Sequence, residues 1–130
     1  MTLYLSVGQV LEIHAYQIRR FGGSAGLRDQ GALEAAVARP QMTFGGEDLY
    51  PESPAKAGAL MHSLVMNHPF VDGNERVGAH AALLFISANE MVPDITPPEL
   101  TEATLSLARG ELSVEALTVW LRQRVRRREP

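Results

Sequence analysis

The stretch His68-Pro69-Phe70-Val71-Asp72-Gly73-Asn74-Glu75-Arg76 gathers an imidazole, two carboxylates, an amide and a guanidinium around one aromatic ring. Pro69 and Gly73 break helical continuity inside it, while helical spacing holds on either side. Ahead of it, Ala57, Leu60, Met61, Leu64 and Val65 fall on one stripe; behind it, Val77, Ala81, Leu84, Phe85 and Ala88 recur at helical intervals. The segment is therefore a polar loop between two helices, and it opens onto the N-terminus of the second.

Working outward, the same punctuation predicts an all-α domain of about six helices. Ser6 with Gln9 makes a capping-box pattern, and Val7, Val10, Leu11, His14 and Ile18 share a face until Phe21-Gly22-Gly23 ends the helix. Asp29 caps a shorter helix carrying Leu33, Ala36 and Val37, which Pro40 stops because the residue before a proline is pushed out of the helical region. Periodicity lapses from Gln41 to Ser53, where Gly45-Gly46, Glu47, Asp48 and Pro51 mark an exposed loop or short hairpin. Ser53-Pro54 then starts the third helix. Met91 to Ile95 reads as extended, Thr96-Pro97-Pro98-Glu99 is a second capping box, and Ser113 caps a last helix carrying Leu117, Trp120, Leu121 and Val125. The domain is expected over residues 1–121, with 122–130 an Arg-rich helix end or tail.

Composition narrows the function classes. A chain of 130 residues, 45% hydrophobic, supports one compact domain. It has no cysteine, which excludes disulfides, thiolate zinc sites and cysteine nucleophiles. With no signal-like start and no apolar run of membrane-spanning length, the expected location is cytoplasmic, without membrane contact. Five of the twelve basic residues and one of the fifteen acidic ones lie in the last nine positions, so the body carries seven basic against fourteen acidic groups. A body of that sign is a poor nucleic-acid binder, and the basic end reads as a solvated helix terminus favoured by the helix dipole.

In the loop, each side chain has a role in handling phosphate. Backbone N–H groups at Gly73 and Asn74 point along a helix start that favours anions. Arg76 adds a fork of donors, and Asp72 is a hard oxygen ligand suited to magnesium, which is commonly held by one or two carboxylates plus substrate phosphates. His68 has an unperturbed pKa close to the operating pH and can take a proton from an attacking hydroxyl. Each residue alone also has a structural reading: Asp and Asn cap helices, histidine before proline is often structural, and Phe70 is a core anchor. A zinc site from His62, His68 and Asp72 is disfavoured because the histidine spacing does not match one helix face. His62 reads as helix surface, and His14 and His80 as packed or partly buried.

Taken together, the run resembles the His-x-Phe-x-Asp/Glu-Gly/Ala-Asn-x-Arg signature of the Fic/Doc family. Further stretches look like its Doc, or death-on-curing, branch: Phe21-Gly22-Gly23, Gly26-Leu27-Arg28-Asp29, Leu33-Glu34, Arg39-Pro40-Gln41, Asp48-Leu49-Tyr50-Pro51 and Ala108-Arg109-Gly110-Glu111-Leu112. The resemblance implies an all-helical scaffold with His68 as general base, Phe70 as core anchor and Asp72 as the magnesium-linked acid. It implies that Gly73, Asn74 and Arg76 hold phosphate, with Glu75 beside them, and that Phe44, Gly45, Gly46, Asp48, Leu49 and Tyr50 form a flap aligning the target. The implied reaction is transfer of a phosphoryl group from ATP, with Mg2+, to a hydroxyl of a translation factor such as elongation factor Tu. A Phd-like antitoxin would restrain it.

The chain departs from the pattern at two positions. Fic enzymes that transfer AMP carry glycine after the motif asparagine and a second arginine three residues beyond the first; here those places hold Glu75 and Ala79. Doc-like proteins usually carry lysine where Glu75 stands. A carboxylate roughly 5 Å from a phosphate charge costs on the order of 1–3 kcal/mol, unless it turns to solvent. Two alternatives therefore stand beside the phosphotransferase: a nucleotidyl transferase acting on protein hydroxyls, and a protein-binding module of the same fold silenced by Glu75.

Overall fold

The computed structural model describes residues 1–129 and contains six α-helices with two short antiparallel strand pairs. The helices are α1 (Val7–Phe21), α2 (Gln30–Ala38), α3 (Ser53–Met66), α4 (Asn74–Ala88), α5 (Pro97–Ala108) and α6 (Val114–Arg122). The strands are β1 (Thr43–Phe44) with β2 (Glu47–Asp48), and β3 (Met91–Pro93) with β4 (Val125–Arg127). No helix among the described residues is long and apolar enough to cross a membrane.

Local chemistry sets the helix ends. Ser6 and Gln9 form a reciprocal capping box on α1, Thr96 and Glu99 do the same on α5, and Asp29 and Ser113 cap α2 and α6 through single side-chain acceptors. Glu99 is held down to about 2, first by the Thr96 backbone N–H and then by the Arg124 guanidinium. Pro40 does not simply end α2; it sits inside a 3-10 turn, Arg39–Gln41, that continues the helix axis before the chain extends.

Tertiary packing decides the interior. α3 lies at the centre against α4 and α6, so it is buried almost all round from Pro54 to Val65 and shows no single apolar stripe. On α1 the buried face is Val10, Ile13, His14 and Gln17, while the expected Leu11 is exposed, as is Leu84 on α4. α3 and α4 pack tightly at Gly78, where a Cβ built on the glycine falls 2.6 Å from Val65 Cγ2 and 3.3 Å from the Met61 carbonyl oxygen.

The C-terminal segment differs from the expected Arg-rich helix end. α6 stops at Arg122, the Arg124 N–H returns to the Leu121 carbonyl, and Val125, expected on the helix, begins β4. β4 pairs with β3 in the register Met91 to Arg127, Val92 to Arg126 and Pro93 to Val125. Pairing satisfies the edge groups of β3, and Arg124 is turned onto Glu99 at 3.0 Å and over the Trp120 ring at 4.5 Å. The last position of the expected tail, Pro130, lies outside the described residues.

Gly78→Ala should lower stability by about 1–3 kcal/mol, the usual cost of overpacking, because one contact at that position is to backbone and cannot rotate away. Urea denaturation of parent and variant measures it; equal midpoints would mean that the two helices separate freely.

Candidate active site

The motif loop is built against the linker between α1 and α2. Pro69 O accepts the N–H groups of Arg28 and Asp29, Val71 N–H donates to Gly26 O, and Leu27 and Phe70 form an isolated bridge. Arg28 adds side-chain donors to the His68 and Asn67 carbonyls. These bonds hold His68 at φ +47°, a left-handed conformation in a non-glycine residue that also precedes proline. Such strain costs about 1–3 kcal/mol and persists where its surroundings over-determine it. The imidazole is left exposed.

Phe70, 1% exposed, fixes the loop from below. Its ring stacks on His14 at 3.9 Å with 6° between planes, and His14 Nε2 donates to the Asp72 carbonyl at 2.9 Å. Since a carbonyl only accepts, the Nε2 position of His14 carries a proton. The Asn74 side chain, expected among the phosphate ligands, is buried: its Oδ1 accepts the Phe70 N–H and its Nδ2 donates to the Phe70 carbonyl, both at 3.0 Å. Asn74 is thus placed as a clamp on the loop, and what it can offer a ligand is its backbone N–H.

That N–H belongs to the first turn of α4, which no side chain caps. Gly73 precedes it at φ +82°, in the left-handed region where glycine carries no Cβ penalty. The orphan donors of an uncapped helix start make an anion site. Asp72 flanks it: Oδ1 accepts the Gly73 N–H at 2.8 Å and Oδ2 the Ser24 N–H at 3.1 Å. These two bonds, helped by Arg76, hold its carboxyl below the usual range. The carboxylate is exposed and ionised, and each oxygen keeps a free lone pair, so it suits a magnesium ion that arrives with phosphates. No group of three or more metal-ligating side chains converges among the described residues.

Arg76 reaches a cleft of about 590 Å³ lined by Gln17, Phe21, Glu75, His80 and Leu105 among others. Its guanidinium lies 5.4 Å from the Phe21 ring centroid, and neither Glu75 nor Arg76 has an ion-pair partner among the described residues. Ala79, at the position of the second arginine in AMP-transferring enzymes, lines the same wall. His68 does not line this cleft; it is exposed on the loop six positions before the start of α4.

The expected flap is the β1–β2 hairpin. Gly45 and Gly46 form its two-residue turn at φ +61° and +83°, and Phe44 beside them is 82% exposed. Asp48 and Leu49 are also exposed, while Tyr50 at the foot is half-buried. Sequence reasoning passed over Lys56, which is 3% exposed and donates to the Pro40 and Tyr50 carbonyls and to Asp48 Oδ2. A lone cation in the first turns of an otherwise apolar helix was the available signal. The role of Arg28 had no signal beyond its place in the stretch Gly26-Leu27-Arg28-Asp29, and that of Ser24 had none. His62, read as helix surface, is half-buried with Nδ1 on Arg39.

A family model described as the Fic/DOC family matches residues 4–86. The chain is 47% identical over 89 residues to the "Toxin Doc" of Mycolicibacterium smegmatis, covering 68% of this chain and 66% of that protein. It is 32% identical over 120 residues to the "Protein kinase doc" of Escherichia phage P1, covering 92% of this chain and 94% of that protein.

Asn74→Ala should leave the Phe70 N–H and carbonyl without partners inside the fold, at about 1–3 kcal/mol for each group. Urea denaturation of parent and variant checks this. A change within about 0.5 kcal/mol of parent, the range of neutral surface substitutions, would remove Asn74 as the clamp.

Proposed function

The chain belongs to the Fic/Doc family, and on that footing we propose that it is the toxin of a toxin–antitoxin pair, an enzyme transferring a phosphoryl group from ATP to a hydroxyl of a translation factor such as elongation factor Tu. The observation that supports this reading is the uncapped α4 terminus, preceded in the same nine-residue run by an exposed His68 in a left-handed conformation and followed by Arg76, which has no ion-pair partner among the described residues. A base, an anion site and a cation thus follow one another in a single short run, and these are the groups that moving a phosphoryl group requires.

In this reading, His68 accepts the proton of the target hydroxyl as its oxygen forms the new bond to phosphorus. The bond from phosphorus to the bridging oxygen breaks, and ADP leaves. The first-turn N–H groups of α4 and the Arg76 fork hold the phosphate oxygens. Asp72 would hold Mg2+, whose charge neutralises that developing on the phosphates. The β1–β2 hairpin, exposed along its edges, aligns the target, and a Phd-like antitoxin restrains the enzyme. The name of the phage P1 relative supports kinase chemistry, and the absence of a second guanidinium at Ala79 supports phosphoryl over nucleotidyl transfer.

Glu75 is the residue that weighs against full activity, since it shares the cleft wall with Arg76. Were it to keep nucleotide out altogether, the fold would act only as a binding module. Mass spectrometry of translation factors after incubation with ATP and Mg2+ separates the readings: a gain of one phosphate supports the kinase, one AMP the nucleotidyl transferase, and no change the module.

His68→Ala should reduce transfer by about 10²–10⁴-fold, the usual contribution of a general base, with the circular dichroism spectrum unchanged. Transfer at the parent rate would refute the assignment of the base. Glu75→Lys should tighten ATP–magnesium binding several-fold, because the change removes a repulsion and adds an attraction that solvent only partly screens. Titration calorimetry giving equal affinities would show that Glu75 does not restrain the site.

A further inference from the structure

The foot of the hairpin is held at both ends of one residue. The buried Lys56 ammonium bonds the Tyr50 carbonyl, and Arg39 Nε donates to the Tyr50 hydroxyl at 2.9 Å. Arg39 has no carboxylate partner among the described residues. Its Nη1 instead meets His62 Nδ1 at 3.0 Å and Ser63 Oγ at 2.9 Å, both on α3. Arg39 also belongs to the hairpin's root, because its carbonyl accepts the Met42 N–H, and Met42 O in turn accepts the Leu49 N–H across the hairpin.

We propose that Arg39 is a positioning residue for the β1–β2 hairpin, and that the neutral His62 imidazole is the acceptor that keeps Arg39 on Tyr50. A guanidinium has five donors and no acceptor, so His62 Nδ1 accepts here and the neutral ring carries its proton on Nε2. A second proton has only Nδ1 to occupy. It would replace an acceptor with a donor 3.0 Å from a fixed cation. The Ser63 hydroxyl alone does not hold a guanidinium against the charged ring, so Arg39 draws away from α3 and its Nε leaves the Tyr50 hydroxyl. Lys56 retains the Tyr50 carbonyl, so the hairpin loosens at its root and the chain stays folded.

The charges facing His62 come from two elements. Burial of the ring disfavours the second proton most, Arg39 on the 3-10 turn adds to this, and Glu115 on α6 favours it less strongly. The net result is a His62 pKa below the ordinary 6.5. Above about 6.5 the ring is neutral in folded and unfolded chains and the clasp is complete. As pH falls from there towards the lowered folded value, the unfolded chain and the opened hairpin take up the proton first and the clasp weakens; below the folded value it is lost.

This inference rests on the flap reading for its meaning, since a loosened root would present the target less well, but its test needs neither target nor ATP. Hydrogen exchange of residues 42–50, corrected for the intrinsic pH dependence of exchange, is followed from pH 7.5 to 5. The parent should lose about tenfold in protection, the scale of one charge-assisted hydrogen bond. His62→Asn, which offers an acceptor and cannot be protonated, should stay at the parent's high-pH value throughout. Arg39→Met should be poorly protected at every pH, with circular dichroism unchanged. A flat parent profile, a His62→Asn variant departing from the high-pH parent, or an Arg39→Met variant protected like the parent would each overturn the proposal. A pH-gated hairpin in a chain without transferase activity would refute the proposed function alone. An active chain with a pH-insensitive hairpin would refute this inference alone.

Discussion

The burial of Phe70 is the constraint from which the rest of the site follows. One ring in the core, stacked on His14 and gripped at its backbone by the Asn74 amide, pins the middle of a loop in which His68, Val71 and Asp72 are exposed. Pinning that point fixes both neighbours. Upstream, Pro69 and His68 are drawn onto the Gly26–Asp29 strip, which forces the left-handed turn at His68. Downstream, Asp72 and Gly73 set the angle at which α4 begins, with its first-turn donors open. Polar chemistry is thus held by an apolar anchor, and burial supplies what opposes the strain at His68.

A second theme is how the fold uses cations. Arg28, Arg39 and Lys56 hold the loop and the hairpin through carbonyls, a hydroxyl or an imidazole, and only Lys56 meets a carboxylate, the half-exposed Asp48. Carbonyl acceptors let one side chain tie several backbone points at once, as Lys56 does for Pro40 and Tyr50. The arrangement also has a cost, since a buried charge whose partners are removed is left unsolvated. Connections that would otherwise be free loops are therefore fixed relative to α3.

The electrostatics around α4 contain a conflict at Glu75. An acid in a first turn favours the helix through its dipole, yet Glu75 stands on the same cleft wall as Arg76, where added negative charge opposes a phosphate ligand. Asp72 is compatible with phosphate because its oxygens are already drawn to Ser24 and Gly73 N–H groups and suit a metal ion. In the proposed phosphotransfer, the two carboxylates, three positions apart, act in opposite directions on one ligand.

Much of the helical frame is local in origin. The caps at Ser6, Asp29, Thr96 and Ser113, the Gly45-Gly46 turn, and the break from Pro69 to Gly73 are short-range chemistry, so residue type at fixed spacing was enough to read them. The density of ionisable groups from His68 to Arg76 likewise marked the candidate site without coordinates. Long-range neighbours decided the remainder. Whether the Asn74 amide faces a ligand or the Phe70 backbone depends on how deeply Phe70 sinks against α1, which no spacing within the loop encodes. The Arg-rich end became β4 because β3 lay beside it with unpaired edge groups, and Arg124 found Glu99 across the fold. His62 looked like surface until Arg39, twenty-three positions away, was brought to its Nδ1. Sequence determines what acts within a helical turn, since caps, breaks and charges act over a few residues; only the tertiary structure chooses the partner of each buried polar group, because that partner is supplied by another element.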